Sequence, residues 1–147
     1  MRHNLRKYLG EVSRRLERFP KGVRICWATQ RELAGHFPGA RFGFWAVCHR
    51  PTKLCPFYVI GVARELQRAP AYVLRVLILH EALHAVITPH VGAWHPYAFR
   101  QAERSHPDSL RAQAWLASHV STVTNTGRAS KMARTSGSAS LKVSTAA

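Results

Sequence analysis

Residues 71–87 form the longest apolar stretch in the chain, and they set the terms for any fold it adopts. Pro70 suits the first turn of a helix, where its missing N–H would have no partner anyway, and Thr88 with Pro89 stops the helix. A helix that is apolar on nearly all sides has to be enclosed by the rest of the domain. Yet this one carries Arg75, His80, Glu81 and His84. Those four interrupt the run well short of the ~20 consecutive apolar residues that a membrane span needs. They also pose a physical question, because a carboxylate in apolar surroundings is costly unless something compensates it. Glu81 is the sole acidic residue between Glu65 and Glu103, so its position stands out.

The pattern His80-Glu81-Ala82-Leu83-His84 suggests the compensation. Residues four apart share a helix face, so both imidazoles can converge on one ion. Zinc accepts neutral imidazole and, in catalytic sites, keeps a position open for water. Glu81, turned away from the two histidines, is placed to act as general base on that water and to pass the proton on to a leaving amine. A third ligand is needed, and the sequence offers three. His90 follows His84 with five residues between, the metzincin spacing, although Ile87 stands where that motif has glycine. Glu103 follows with eighteen between, a spacing used by glutamate-ligated zincins, and could instead orient a ligand from behind. His95 follows with ten between, after Val91-Gly92-Ala93 and directly before Pro96, which opens another helix bearing Phe99. His95 is the favoured choice, since a loop of that length can fold back onto the first helix.

The flanking segments predict a small α+β domain. Apolar residues at Leu5, Tyr8, Leu9, Val12, Leu16 and Phe19 have helical spacing, with arginines opposite and a stop at Pro20-Lys21-Gly22. Residues 23–29 alternate and are β-rich, and Thr29 with Glu32 makes a capping box for a short helix. Residues 42–48 and 57–62 read as a hairpin, and 64–69 as a polar connector. Beyond Pro96, two amphipathic pieces follow, the second carrying Leu110, Ala114, Trp115 and Leu116. Residues 1–120 thus make one domain with a mainly antiparallel sheet. Residues 121–147 hold eleven Ser/Thr, four basic residues and no acid, a composition expected of a disordered tail.

The chain of 147 residues has a formal charge of +15, from 22 Lys+Arg against 7 Asp+Glu. Such an excess fits a phosphate-rich partner such as DNA, contacted by the basic first helix and the tail, or simply a soluble arginine-rich surface. Three cysteines without a Cys-x-x-Cys pair argue against a disulfide scaffold or a zinc ribbon. With no apolar stretch behind the basic N-terminus to act as a signal, a cytoplasmic, non-membrane protein is expected. Cys48, His49 and Cys55 could form a lesser metal site, although strand cysteines are the simpler reading.

Leu79-His80-Glu81-Ala82-Leu83-His84, then His95-Pro96-Tyr97-Ala98-Phe99, then Pro107-Asp108 together resemble the core of the SprT-like and YgjP-like metallopeptidases. The similarity covers roughly residues 55–110. It implies a minimal zincin-like domain with zinc on His80, His84 and His95, Glu81 as catalytic base, and a protein or peptide substrate. SprT-type proteins usually add a zinc ribbon or DNA-binding module, for which this chain has no cysteine pair. The alternative is a basic nucleic-acid-binding protein with a structural metal site. Tyr97 is a weak candidate for oxyanion contact, and Trp94 a candidate for lining the cleft.

Overall fold

A computed structural model of the protein describes residues 3–35, 44–87 and 95–119. His90, Trp94 and the 121–147 tail lie outside the described residues. The fold is mixed α+β, with five helices and a three-stranded sheet among the described residues. Helix α1 (Leu5–Ser13) leads to β1 (Arg24–Ala28) and α2 (Gln30–Ala34). Strands β2 (Ala46–His49) and β3 (Val59–Ala63) follow, then a 3-10 turn (Arg64–Arg68). Helix α3 (Ala71–Val86), α4 (Tyr97–Arg104) and α5 (Ser109–Ser118) complete the domain.

Local chemistry explains the element boundaries. Asn4 caps α1 by accepting a hydrogen bond from the Lys7 amide at 3.1 Å. The helix is shorter than its apolar spacing predicts. The chain turns after Ser13, and Arg18 and Gly22 both adopt positive φ before β1. Thr29 and Glu32 form the expected capping box of α2, with the Glu32 carboxylate accepting from the Thr29 amide at 2.6 Å. Gln30 ties this helix to the sheet, its side chain bonding both the N–H and the C=O of Phe44.

The sheet has the order β1-β3-β2. β2 pairs antiparallel with β3, as the hairpin reading requires, but β1 pairs parallel with β3 from Arg24↔Val59 to Ala28↔Ala63. The sheet is therefore mixed, where a mainly antiparallel one was expected. The reason is connectivity: α2 and β2 intervene between β1 and β3, a crossover that brings the chain back in the same direction.

Gly61, at the centre of β3, allows α2 to sit close. A methyl group added there would lie 2.8 Å from Leu33 Cδ2, and Leu33 is fully buried. Gly61→Ala is expected to destabilise the fold by about 1 kcal/mol, read as a lower urea midpoint at unchanged m-value.

Helix α3 lies at the centre. Residues Val73, Leu74 and Val76 through His84 are buried along it, and α1, α4, α5 and β2 pack around it. At 100° per residue it presents three different faces. Arg75 turns toward α1, where its Nε donates to Glu11 at 2.8 Å and its guanidinium lies over the Tyr8 ring. The residues expected on the last helix divide otherwise than predicted. Ala112 and Leu116 are buried, whereas Leu110 is 80% exposed because the α5 face against α3 starts at Ser109. The connector at 64–69 is likewise not wholly polar in role, since Leu66 anchors it in the core. No helix among the described residues is long and apolar enough to cross a membrane.

Candidate metal centre

His80 and His84 occupy successive turns of α3, and His95 stands just before Pro96, the N-cap of α4. The structure brings these three together. His80 Nε2 lies 3.3 Å from His84 Nε2, which lies 3.3 Å from His95 Nε2. One ligand atom from each falls within 4.8 Å of the others. Tetrahedral zinc with Zn–N bonds of ~2.0–2.1 Å places its nitrogens about 3.3–3.4 Å apart. Both separations from His84 match that value, and these three histidines could hold a metal ion.

Phe99 supports the cluster from beneath. Fully buried, its ring centroid sits 5.0 Å from His80, 4.6 Å from His84 and 4.7 Å from His95. It lies in the first turn of α4, four residues beyond His95, which is why the spacing His95-x-x-x-Phe99 is informative. Arg100 donates from Nε to the His95 carbonyl at 3.2 Å, holding the turn that presents the imidazole.

Glu103 has a different place. Its Oε1 accepts from His80 Nδ1 at 2.7 Å. This bond puts the Nδ1 proton toward the carboxylate and leaves Nε2 facing the cluster, the usual arrangement behind a metal-binding histidine. Burial raises the Glu103 carboxyl pKa, but the bond and charge of His80, helped by His95 and Arg104, outweigh it and hold it below its ordinary value. Of the three candidates, then, His95 joins the cluster, Glu103 stands behind His80, and His90 lies outside the described residues. Glu103→Ala is expected to weaken metal binding by about 10–100-fold with the fold retained, measured by competition with a chromophoric chelator.

The electrostatics favour neutral imidazoles at His84 and His95. Burial, reinforced by the charge of His80, His95 and Arg50, pushes His84 down to about 2, and burial with His80 also lowers His95. Neither has to lose a proton at pH 7 to present a lone pair.

Glu81 lies one residue, and thus 100°, round from His80, toward β2. It is fully buried, and neither carboxylate oxygen makes a hydrogen bond of ordinary geometry among the described residues. Burial raises its pKa to about 7, against the charge of His80 and the nearby Cys48 backbone, which favour ionisation. A buried carboxyl with unused hydrogen-bonding capacity, poised near neutrality beside a histidine cluster, is placed for proton transfer.

The other sequence candidates go elsewhere. Cys48 is buried in β2, with burial pushing its thiol up to about 12, and it joins no metal-ligating group with His49 or Cys55 among the described residues. Tyr97 is 77% exposed, with its hydroxyl bonded to Gln101. Trp45 is buried, while Trp27 and Trp115 pack against the core. The pairing of Glu103 with His80 is the feature that spacing could have suggested but did not decide.

No protein-family model, no curated protein and no solved structure matches the chain.

Proposed function

We propose that this chain is a zinc-dependent metallopeptidase with a minimal zincin-like domain of the SprT/YgjP-like type. The observation that carries the reading is the convergence of three imidazoles, with His84 Nε2 at tetrahedral spacing from both His80 and His95 Nε2, and a buried Glu81 without an ordinary hydrogen bond adjacent in sequence to the first of them. Zinc, when bound by His80, His84 and His95, supplies Lewis acidity toward the scissile carbonyl and lowers the pKa of water to about 7.

The chain's own residues do the rest. Glu103 fixes the orientation and tautomer of His80 through Nδ1. Phe99 gives the three imidazoles a common apolar wall, which limits solvent around them. Glu81 takes a proton from the attacking water and returns it to the departing amine, a double role suited to a carboxyl titrating at about 7. The balance is that of hydrolysis: the C–N bond breaks, C–O and N–H bonds form, and one water is consumed.

The test is peptidase activity of the full chain on an unfolded protein substrate, after stripping with chelator and after adding back one equivalent of zinc. Activity that appears with zinc and disappears with chelator supports the reading. Stoichiometric zinc without turnover on any unfolded substrate overturns it in favour of a structural site.

A second reading is favoured by the exposed basic residues Arg6, Lys7, Arg14, Arg15 and Arg18 on and after α1. DNA is their natural partner, either bringing a peptidase to DNA-associated proteins or binding a non-catalytic protein. In both cases log Kd for duplex DNA is expected to rise steeply with log salt. A flat salt dependence would remove DNA from the account.

A further inference from the structure

Between α1, α3 and the end of α4 lies a cavity of about 350 Å³ that takes no part in the metal centre. It is within the size range of small-molecule sites. The faces are distinct: Arg75 and Leu79 point into the cavity from α3, whereas His80 and His84 lie more than a quarter-turn further round the same helix. Ala102, Ser105 and His106 line it from the other side, next to the stripe that carries Phe99 and Glu103.

The lining has two halves. One is apolar, built from Val12, Leu16, Leu79 and Ala102. The other is cationic. Arg75 uses Nε on Glu11, and its two terminal nitrogens have no protein hydrogen bond among the described residues. The Arg15 guanidinium has no hydrogen bond or ion pair among them either, and it is exposed. His106 accepts from the Asp108 amide at Nδ1, 3.1 Å away, so its proton sits on Nε2, a further donor. Glu11 pairs with Arg75, and the charge of Asp108 also acts on Arg75 and His106, whereas Arg15 makes no ion pair among the described residues.

We propose that this cavity is a binding site for a small amphipathic monocarboxylate. The carboxylate would sit on Arg15, the terminal nitrogens of Arg75 and His106, with its apolar body against Val12, Leu16 and Leu79. One carboxylate matches the one guanidinium of the lining, Arg15, that makes no ion pair among the described residues. A phosphate, hydrated all round, would leave the apolar half of the lining uncovered. The site is independent of whether the histidine cluster is catalytic.

The experiment is calorimetric titration of the full chain with phenylacetate and, separately, with inorganic phosphate, combined with amide shifts mapped by NMR. Phenylacetate is expected to saturate below about 10 mM and to shift the Ala102, Ser105 and Leu79 amides. Arg15→Gln, at an exposed position, is expected to weaken binding about tenfold. Glu11→Gln, which frees Arg75, is expected to tighten it. No saturation, shifts confined to other regions, or an affinity unchanged by Arg15→Gln would each overturn the site. Phosphate binding as tightly as phenylacetate would overturn the ligand class.

Discussion

Glu81→Gln is expected to lower peptide hydrolysis by about 10²–10⁴-fold while the protein keeps its metal in full. The amide is nearly isosteric, and Glu81 is not among the three converging side chains, so the histidine cluster has no reason to change. What disappears is the group that, in the proposed mechanism, would take and return the proton. Turnover left intact with zinc bound would sink the assignment of Glu81 as base. A second readout comes from linkage. In the metal-free protein Glu81 titrates at about 7, against about 4.5 in the unfolded chain. Between those values the folded state holds a proton that the unfolded state has lost. The contribution of Glu81 to stability is thus greatest below pH 4.5 and is lost as pH rises through 7. Glutamine has no such dependence. The variant should therefore gain on the wild type between pH 5 and pH 7.5, by about 2–3 kcal/mol at most, in metal-free urea titrations. A constant gap across that range would mean that the carboxyl is not held protonated by burial.

His84→Ala is expected to remove stable metal binding. His84 Nε2 lies at 3.3 Å from both of the other Nε2 atoms, so its loss leaves two donors that do not close a tetrahedron. Affinity should fall by more than the ~100-fold expected for removing an outer partner such as Glu103. The consequence extends to stability. An ion that binds only the folded state adds about 2.7 kcal/mol at a hundredfold excess over Kd. Zinc should then raise the melting temperature of the wild type by roughly 5–10 °C. It should leave His84→Ala unmoved. A variant that still melted higher with zinc would place the ion somewhere other than this cluster.

Much of the centre was legible along the chain because it depends on short-range geometry. His80 and His84 at i and i+4 must share a face of any helix, and Glu81 between them must point elsewhere. Thr29 and Glu32 announced their own capping box, since both hydrogen bonds close within four residues. Pro70 and Pro96 marked helix starts for the same local reason. The choice among His90, His95 and Glu103 was a different kind of question. Spacing admits all three, and it is the packing of α4 on α3, through Phe99, that sets His95 against the pair and turns Glu103 onto His80 Nδ1. The parallel pairing of β1 with β3 was hidden likewise, because alternation along a strand gives its faces and not its neighbour.

Arg75 shows the division most clearly. In the sequence it is a blemish in an apolar helix, one of 22 basic residues on a chain of charge +15. In the fold it bonds Glu11 across 64 positions of chain, covers Tyr8, and opens onto a cavity with Arg15. The sequence by itself determined the central helix, its capping neighbours and the two histidines with a glutamate between them, because helical periodicity and end effects act over a few residues. The third histidine, the carboxylate behind the first and the cavity beside α1 were decided by tertiary structure, since each needs side chains from separate elements brought within a few ångströms, and no local rule measures that distance.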